Sequence, residues 1–368
     1  MAGFPFMRQA EAFRSSLPFI LLLAVFILPC PMSAAAKPRP AIAFVHLLLP
    51  PGGEPHASPA GWIGSLDRAR DTLESLRIPT IVSSASPGNA EDLNELSEMD
   101  PEVLITTSPL LYAAACDVAK RSPNTVFFAC TDETVHDNMS GFQARTYEAH
   151  YLAGLIAGAL SEDGVIGYLA NDPYQSKASR LRNANAFTLG AQKSKAAIRV
   201  LYAPGNDPDE ELKTLIAAGA DIVDLERALP SLVERLREHS VRYVGTAGRT
   251  VDPLCLAAPE WEWSNAFGDL LTQVRFGIWR PRNVSYGIKG GVVGLSPFGP
   301  AVPETVRVRV REAKEAIRNG ASPFEGPVRD VSGSLRIAEG SVPDDATLRG
   351  MDWRVQGLEP LPLTPDGL

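Results

Sequence analysis

Apolar runs of strand length alternate with segments of helical period along most of the chain. Residues 40–49 contain Ala-Ile-Ala-Phe-Val-His-Leu-Leu-Leu, stopped by Pro50, Pro51, Gly52 and Gly53. A run this continuous predicts a strand buried on both faces. Leu66, Ala69, Leu73 and Leu76 then recur every three or four residues, which predicts a helix over 62–76. Short strands follow at 80–83, 103–107 and 125–130, with a helix at 110–120 between the last two. Four strands linked by helices predict a parallel sheet covered on both sides. The pattern then restarts. Helices are expected at 148–160, 180–192, 209–218 and 229–239, and strands at 164–170, 198–202, 221–224 and 241–245.

The last third does not form a third series. A strand at 254–258 and a helix at 263–276 precede a glycine-punctuated β-rich stretch, 284–295, and a charged helix, 303–319, stopped by Gly320. The expected fold class is therefore α/β with two lobes, each a mainly parallel sheet with helices on both faces. Lobe 1 is assigned 37–142 with a return segment at about 254–280. Lobe 2 is assigned 143–253 with about 281–340, and 341–368 is left as a tail. A chain that passes between lobes more than once makes a hinge. Two open α/β sheets facing each other place a cleft at the strand C-termini.

Composition narrows the function. The 368 residues suit two lobes. Asp plus Glu number 43 against 35 Lys plus Arg, a net charge of −8, which argues against a nucleic-acid partner. At the N-terminus, Arg8 and Arg14 precede the apolar run 19–28 and the small-residue segment ending Ala34-Ala35-Ala36. Ten apolar residues are too few for a membrane span, which takes roughly 20. The segment reads as an export signal cut after Ala36. A second reading is lipid attachment at Cys30, although Leu28-Pro29 suits that poorly. The expected location is the periplasm or the outer face of the cell membrane. Export allows a bridge between Cys116 and Cys130, and buried free thiols are an equal alternative.

No catalytic constellation is present in the sequence. There is no G-x-S-x-G elbow, no phosphate loop ending in G-K-S/T, and no H-x-x-x-H pair among the five histidines. Neither enzymatic activity, a metal nor a cofactor is expected. His46, inside an apolar strand, reads as structural.

Several ordered segments carry a family resemblance. They are Gly61-Trp62 with Asp67, Leu104-Ile-Thr-Thr-Ser108, Pro123-Asn-Thr-Val-Phe-Phe128, Tyr147-Glu-Ala-His-Tyr-Leu-Ala-Gly-Leu-Ile-Ala-Gly158 and Ile166-Gly-Tyr-Leu-Ala170. Further along come Asn185–Gly190, Gly219-Ala-Asp-Ile222, Pro259-Glu-Trp-Glu-Trp263, Gly287-Ile-Lys-Gly-Gly-Val-Val293 and Pro323–Asp330. Taken in order over residues 58–357, they resemble the basic membrane protein family of ABC-transporter substrate-binding proteins, which includes purine nucleoside receptors. The resemblance implies the type I periplasmic-binding fold, capture of a small solute in an interlobe cleft, and an ABC permease as partner. The alternative is a sensing domain of the same fold that signals to a membrane partner.

Seven residues are candidate ligand contacts. Trp62 offers a ring face after a long loop. Thr107 and Ser108 end a strand where hydroxyls and backbone N–H groups suit ligand oxygens, and Ser108 is equally placed to cap a helix. Asp132 ends the next strand. Trp263 lies in the Trp-Glu-Trp segment, and the resemblance implies a ligand contact for Lys289. Arg249 stands where relatives tend to carry an acid, and Ala228 removes another. The resemblance implies a nucleoside-like ligand, whereas those exchanges favour an anionic one through Arg249.

Overall fold

The computed structural model describes residues 40–47, 61–86, 91–131, 133, 136–172, 175–245 and 252–362. The export-like segment and Cys30 lie outside them. The first sheet is built from β1 (Ile42–Leu47), β2 (Thr80–Ala85), β3 (Val103–Thr106), β4 (Val126–Cys130) and β5 (Met139–Ala144). The second begins with β6 (Val165–Leu169), β7 (Arg199–Ala203), β8 (Ile222–Leu225), β9 (Arg242–Gly245) and β10 (Cys255–Ala257). The remaining strands are β11 (Pro259–Trp261), β12 (Asn283–Tyr286), β13 (Val293–Leu295), β14 (Val328–Arg329), β15 (Leu335–Ile337) and β16 (Leu358–Pro360). The helices of the first part are α1 (Trp62–Ser75), α2 (Glu91–Glu98), α3 (Tyr112–Ala119), α4 (Thr146–Leu160) and α5 (Lys177–Ser194). They are followed by α6 (Pro208–Ala217), α7 (Pro230–Glu238), α8 (Ser264–Arg275), α9 (Glu304–Arg318) and α10 (Asp345–Arg349).

The two large sheets have the orders β12-β5-β4-β3-β1-β2 and β10-β9-β8-β6-β7-β16. Every pairing within them is parallel. Burial follows from that. All six residues of β1 are buried, because a parallel sheet is covered on both faces. One buried cluster runs through both lobes and contains α4, while separate clusters cover the far face of each sheet.

Helices α4 and α5 explain the small residues of the second lobe. A Cβ on Gly154 would run into the carbonyl of Phe187, and one on Gly158 into that of Ala191. The glycines let two backbones meet where any side chain would separate them.

The lobe boundaries differ from expectation in the last third. The strand at 255–257 joins the second sheet rather than returning to the first. The return to the first lobe is made by α8, whose Phe267 packs on Phe44 of β1, and by β12, which pairs with β5, although 281–340 was assigned to the second lobe. The tail is not separate: β16 pairs with β7 and completes the second sheet. The chain thus passes to the second sheet after β5, back after β10, and again to the second after β12. Short strands with mixed polarity give little periodicity, so their sheet membership is set by tertiary pairing. The three described cysteines are free thiols, with Cys116 and Cys130 both buried. Among the described residues no helix is long and apolar enough to cross a membrane.

Candidate functional site

A cleft of about 770 Å3, counting its open mouth, lies between the C-terminal ends of strands from both sheets. The first lobe supplies Trp62, Thr107, Pro109 and Cys130. The second supplies Asp172, Gln175, Ser176, Ser179, Arg182 and Asn183. The crossing segments add Gln143 and Ala144 at the end of β5, Thr146 at the start of α4, and Trp261 at the end of β11.

The first-lobe wall is aromatic and fixed. Trp62 opens α1, and its indole N–H donates to the carbonyl of Thr107 at 2.8 Å. Thr107 is itself held, its hydroxyl donating to the carbonyl of Val45 at 3.1 Å. Buried His46 bridges this point to α1, with Nδ1 3.2 Å from Thr107 Oγ1 and Nε2 3.2 Å from Asp67 Oδ1. Trp261 and Trp263 meet the Trp62 ring edge-on, at 5.9 and 5.2 Å between centroids. Phe142 lies nearly parallel to it at 6.4 Å. Such T-shaped and offset contacts lock ring orientation.

The second-lobe wall is polar. Ser176 caps α5, its hydroxyl accepting from the N–H of Ser179 at 3.1 Å. Gln175 donates to Asp172 Oδ2 at 3.0 Å and accepts from Asn183 Nδ2 at 2.9 Å. Arg182 donates to the carbonyl of Leu348 at 3.1 Å and to Ser179 Oγ at 3.3 Å, with its guanidinium over Tyr147. Behind this wall is a buried set of ionisable groups. Tyr168 donates to Glu226 Oε1 at 2.8 Å, and His150 Nδ1 lies 3.0 Å from Asp224 Oδ2. Burial pushes the Glu226 carboxyl up to about 7 against the pull of His150. Burial alone would depress His150, but the neighbouring Asp224 outweighs it and the imidazole is raised.

Of the seven sequence candidates, the structure brings Trp62 and Thr107 together on the cleft wall. Ser108 sits beside them, buried, with its hydroxyl accepting from the N–H of Leu110 as a cap. Trp263 is fully buried one layer behind, stacked on Phe267 at 5.5 Å, and it is Trp261, two residues earlier, that faces the cleft. Lys289 is exposed on the turn after β12 and is not on the cleft wall. Asp132 and Arg249 lie outside the described residues. Sequence reasoning missed the stretch from Asp172 to Asn183. Its available signal was Asp, Gln and Ser directly before a helix that follows a strand end. Among the described residues no group of His, Cys, Asp and Glu can hold a metal ion.

Residues 66–217 match the family model described as Bmp, ABC transporter substrate-binding protein PnrA-like. Over that stretch the chain is similar to the Bmp family. It is an ABC-transporter solute-binding protein. A purine-binding protein of Brucella abortus is 28% identical over 344 residues, covering 89% of this chain and 95% of that one. A putative ABC transporter glucose-binding protein of Haloferax volcanii is 28% identical over 307 residues, covering 77% and 78% respectively. A solved structure of an ABC-transporter solute-binding protein from Conexibacter woesei superposes with a TM-score of 0.60 at 17% identity, covering 76% of this chain and 97% of that chain. It shows the two-lobed type I periplasmic-binding fold for this chain too. ABC-transporter substrate-binding proteins usually work outside the cytoplasm, and the similarity implies a small-molecule ligand and a membrane permease as partners.

Proposed function

We propose that the interlobe cleft binds a flat, nitrogen-rich heterocycle of the purine class, with or without a sugar, and that the loaded protein delivers it to an ABC permease. The observation that carries this reading is the pairing of walls. Trp62, with Thr107 beside it and Trp261 at its edge, presents a rigid aromatic surface, and Asp172, Gln175 and Asn183 face it across the cleft. Stacking holds a ring of any substitution, while side-chain amides and a carboxylate address its edge atoms. A purine-binding relative aligned over nearly its whole length supports the same ligand class. The anionic ligand expected from Arg249 rests on a residue outside the described ones, and the described walls carry Asp172 as well as Arg182. Binding on both lobes favours the closed form by contacts that exist only when the cleft is shut. The ligand leaves chemically unchanged. The protein acts after export, released by cleavage near Ala36.

Calorimetry of the ligand-stripped protein against adenine, guanosine, glucose and citrate tests this. Binding of a purine with the others silent is expected. Binding of glucose or citrate alone overturns it.

A further inference from the structure

We propose that a second groove, which shares Trp261 with the cleft, is a separate ligand site, and that it takes a small dicarboxylic amino acid. The site is independent of what the cleft binds.

The groove measures about 790 Å3 with its open mouth, about as large as the cleft. It is lined by the antiparallel ribbon of β11 and β13. Helix α1 of the first lobe adds Arg68, and α9, which packs on α4, adds Lys314 and Arg318.

The ribbon is open where these side chains meet it. Glu260 stands opposite Gly294, and residues directly opposite share a face of the ribbon. Lys314 Nζ lies 3.7 Å from where a Cβ on Gly294 would stand, which is ordinary contact. Beyond the glycine's chain neighbours, nothing else among the described residues comes within 4 Å of that point. Gly294 also lacks a positive φ. Neither backbone conformation nor crowding calls for glycine there. Its effect is to leave open the face on which Glu260 and the Lys314 ammonium meet the groove.

The charges define the ligand. Arg68 donates one N–H to the carbonyl of Trp261 at 3.3 Å, which leaves most of its fork unused. Arg68, Lys314 and Glu260 are half-buried, and none has an ion-pair partner among the described residues. The other charged groups of the groove are committed. Arg318 pairs with Glu315 on its own helix, and Glu262 accepts from the N–H of Ser264 at 3.0 Å. Two cations and one carboxylate therefore line the groove without a direct partner. Their complement is a molecule with two carboxylates and one ammonium. The guanidinium fork suits one carboxylate and the Lys314 ammonium the other, while Glu260 accepts from the ligand ammonium. A plain dicarboxylate sets a like charge against Glu260, and an amine with one carboxylate leaves a cation unanswered.

Calorimetry at low ionic strength, where such pairs are least screened, tests this with L-glutamate, glutarate and 4-aminobutyrate. L-glutamate should bind at millimolar concentration, and each of the other two about tenfold more weakly, the loss of one charged hydrogen-bonded contact. Lys314→Gln and Arg68→Gln should each weaken L-glutamate by about tenfold, and Glu260→Gln should reverse the order of L-glutamate and glutarate. Gly294→Val fills the groove without altering its charge. It should abolish L-glutamate binding and leave the melting temperature unchanged, so a folded variant is available whatever the charge variants do. No L-glutamate binding to the wild-type chain overturns the proposal, as does binding unaffected by both Gly294→Val and Lys314→Gln. Equal affinity for glutarate overturns the amino-acid assignment. Binding lost in Gln175→Ala but kept in Gly294→Val would place L-glutamate in the cleft and likewise sink the second site.

Discussion

The two walls of the cleft are made on opposite principles. The first-lobe wall is a stack of rings, with Trp62 held by Phe142, Trp261 and Trp263, and Phe142 and Trp263 backed in turn by Phe267. The second-lobe wall is a chain of hydrogen bonds from Asn183 through Gln175 to Asp172, with ionisable groups buried behind it. An aromatic wall is indifferent to the atoms at a ring's edge and unaffected by pH. A hydrogen-bonded wall reads those atoms and titrates. If the cleft is the ligand site as proposed, affinity and selectivity fall to different lobes, and each can be changed without the other.

The largest expected effect comes from the layer beneath the aromatic wall. Trp263 is fully buried among rings of both β-strand and helix origin. Trp263→Ala should cost about 3–5 kcal/mol of stability, the usual range for removing a large buried aromatic. Chemical denaturation measures it. A loss under about 1 kcal/mol would mean that the wall is not supported from behind. Trp62→Ala is smaller and different in kind. It should weaken purine binding by about 1–3 kcal/mol, as stacking losses do, with a smaller change in stability because Trp62 is only half-buried. Calorimetry that finds equal affinity would remove the ring wall from the ligand site.

The second-lobe wall should reveal itself through pH. Glu226 is raised from its ordinary 4.5 to about 7, so between those values the folded chain holds a proton that the unfolded chain has lost. His150 is also raised, so above about 6.5 the folded state again binds the extra proton. Both contributions are present at mildly acid pH and are lost as pH rises through the folded values. A shift of one unit is worth about 1.4 kcal/mol, so a melting temperature a few degrees higher near pH 5.5 than at pH 8 is expected. Glu226→Gln should flatten part of that difference by thermal denaturation. An equal slope in wild type and variant would show that the buried acid does not govern it.

How much was legible in the sequence follows the same division. Long apolar runs such as β1 and the glycine spacing of α4 predict two parallel-sheet lobes, because burial on two faces leaves an unbroken pattern. Strands β5 and β12, with Ser140, Gly141, Gln143, Asn283 and Ser285, carry almost no such pattern, and their pairing is decided by what lies beside them. In the cleft, Trp62 was readable as an aromatic at a strand–helix junction. Trp261 and Trp263 both precede α8 two residues apart, and only the tertiary fold shows that Trp261 faces the cleft while Trp263 turns inward. The polar wall was least legible. Asp172 and Asn183 are ordinary loop and helix residues until the fold sets them opposite Trp62, and Glu226 is 43 residues away from Asn183 in sequence.

The smallest expected effect is at Lys289, and it sharpens the contrast because a cation there was expected to touch ligand. Its turn is tied down by its neighbours rather than by Lys289 itself. The backbone N–H of Ile288 donates to buried Glu148 Oε2 at 2.6 Å, and Gly287 lies so close to that carboxylate that a Cβ would collide with it. Burial raises the Glu148 carboxyl, and the Ile288 hydrogen bond together with Arg145 opposes that rise. This anchor fixes the turn against α4 and leaves the Lys289 side chain exposed, outside the walls that carry Trp62 and Asp172. An exposed ammonium that makes no contact with ligand contributes little through solvent. Lys289→Ala should therefore leave purine affinity within about twofold of wild type, a difference of about 0.4 kcal/mol. Gly287→Val, which drives a side chain into Glu148, should destabilise the same turn strongly. A tenfold loss of affinity in Lys289→Ala with unchanged stability would mean that closure carries this turn to the ligand, and that the selective wall extends beyond the second lobe.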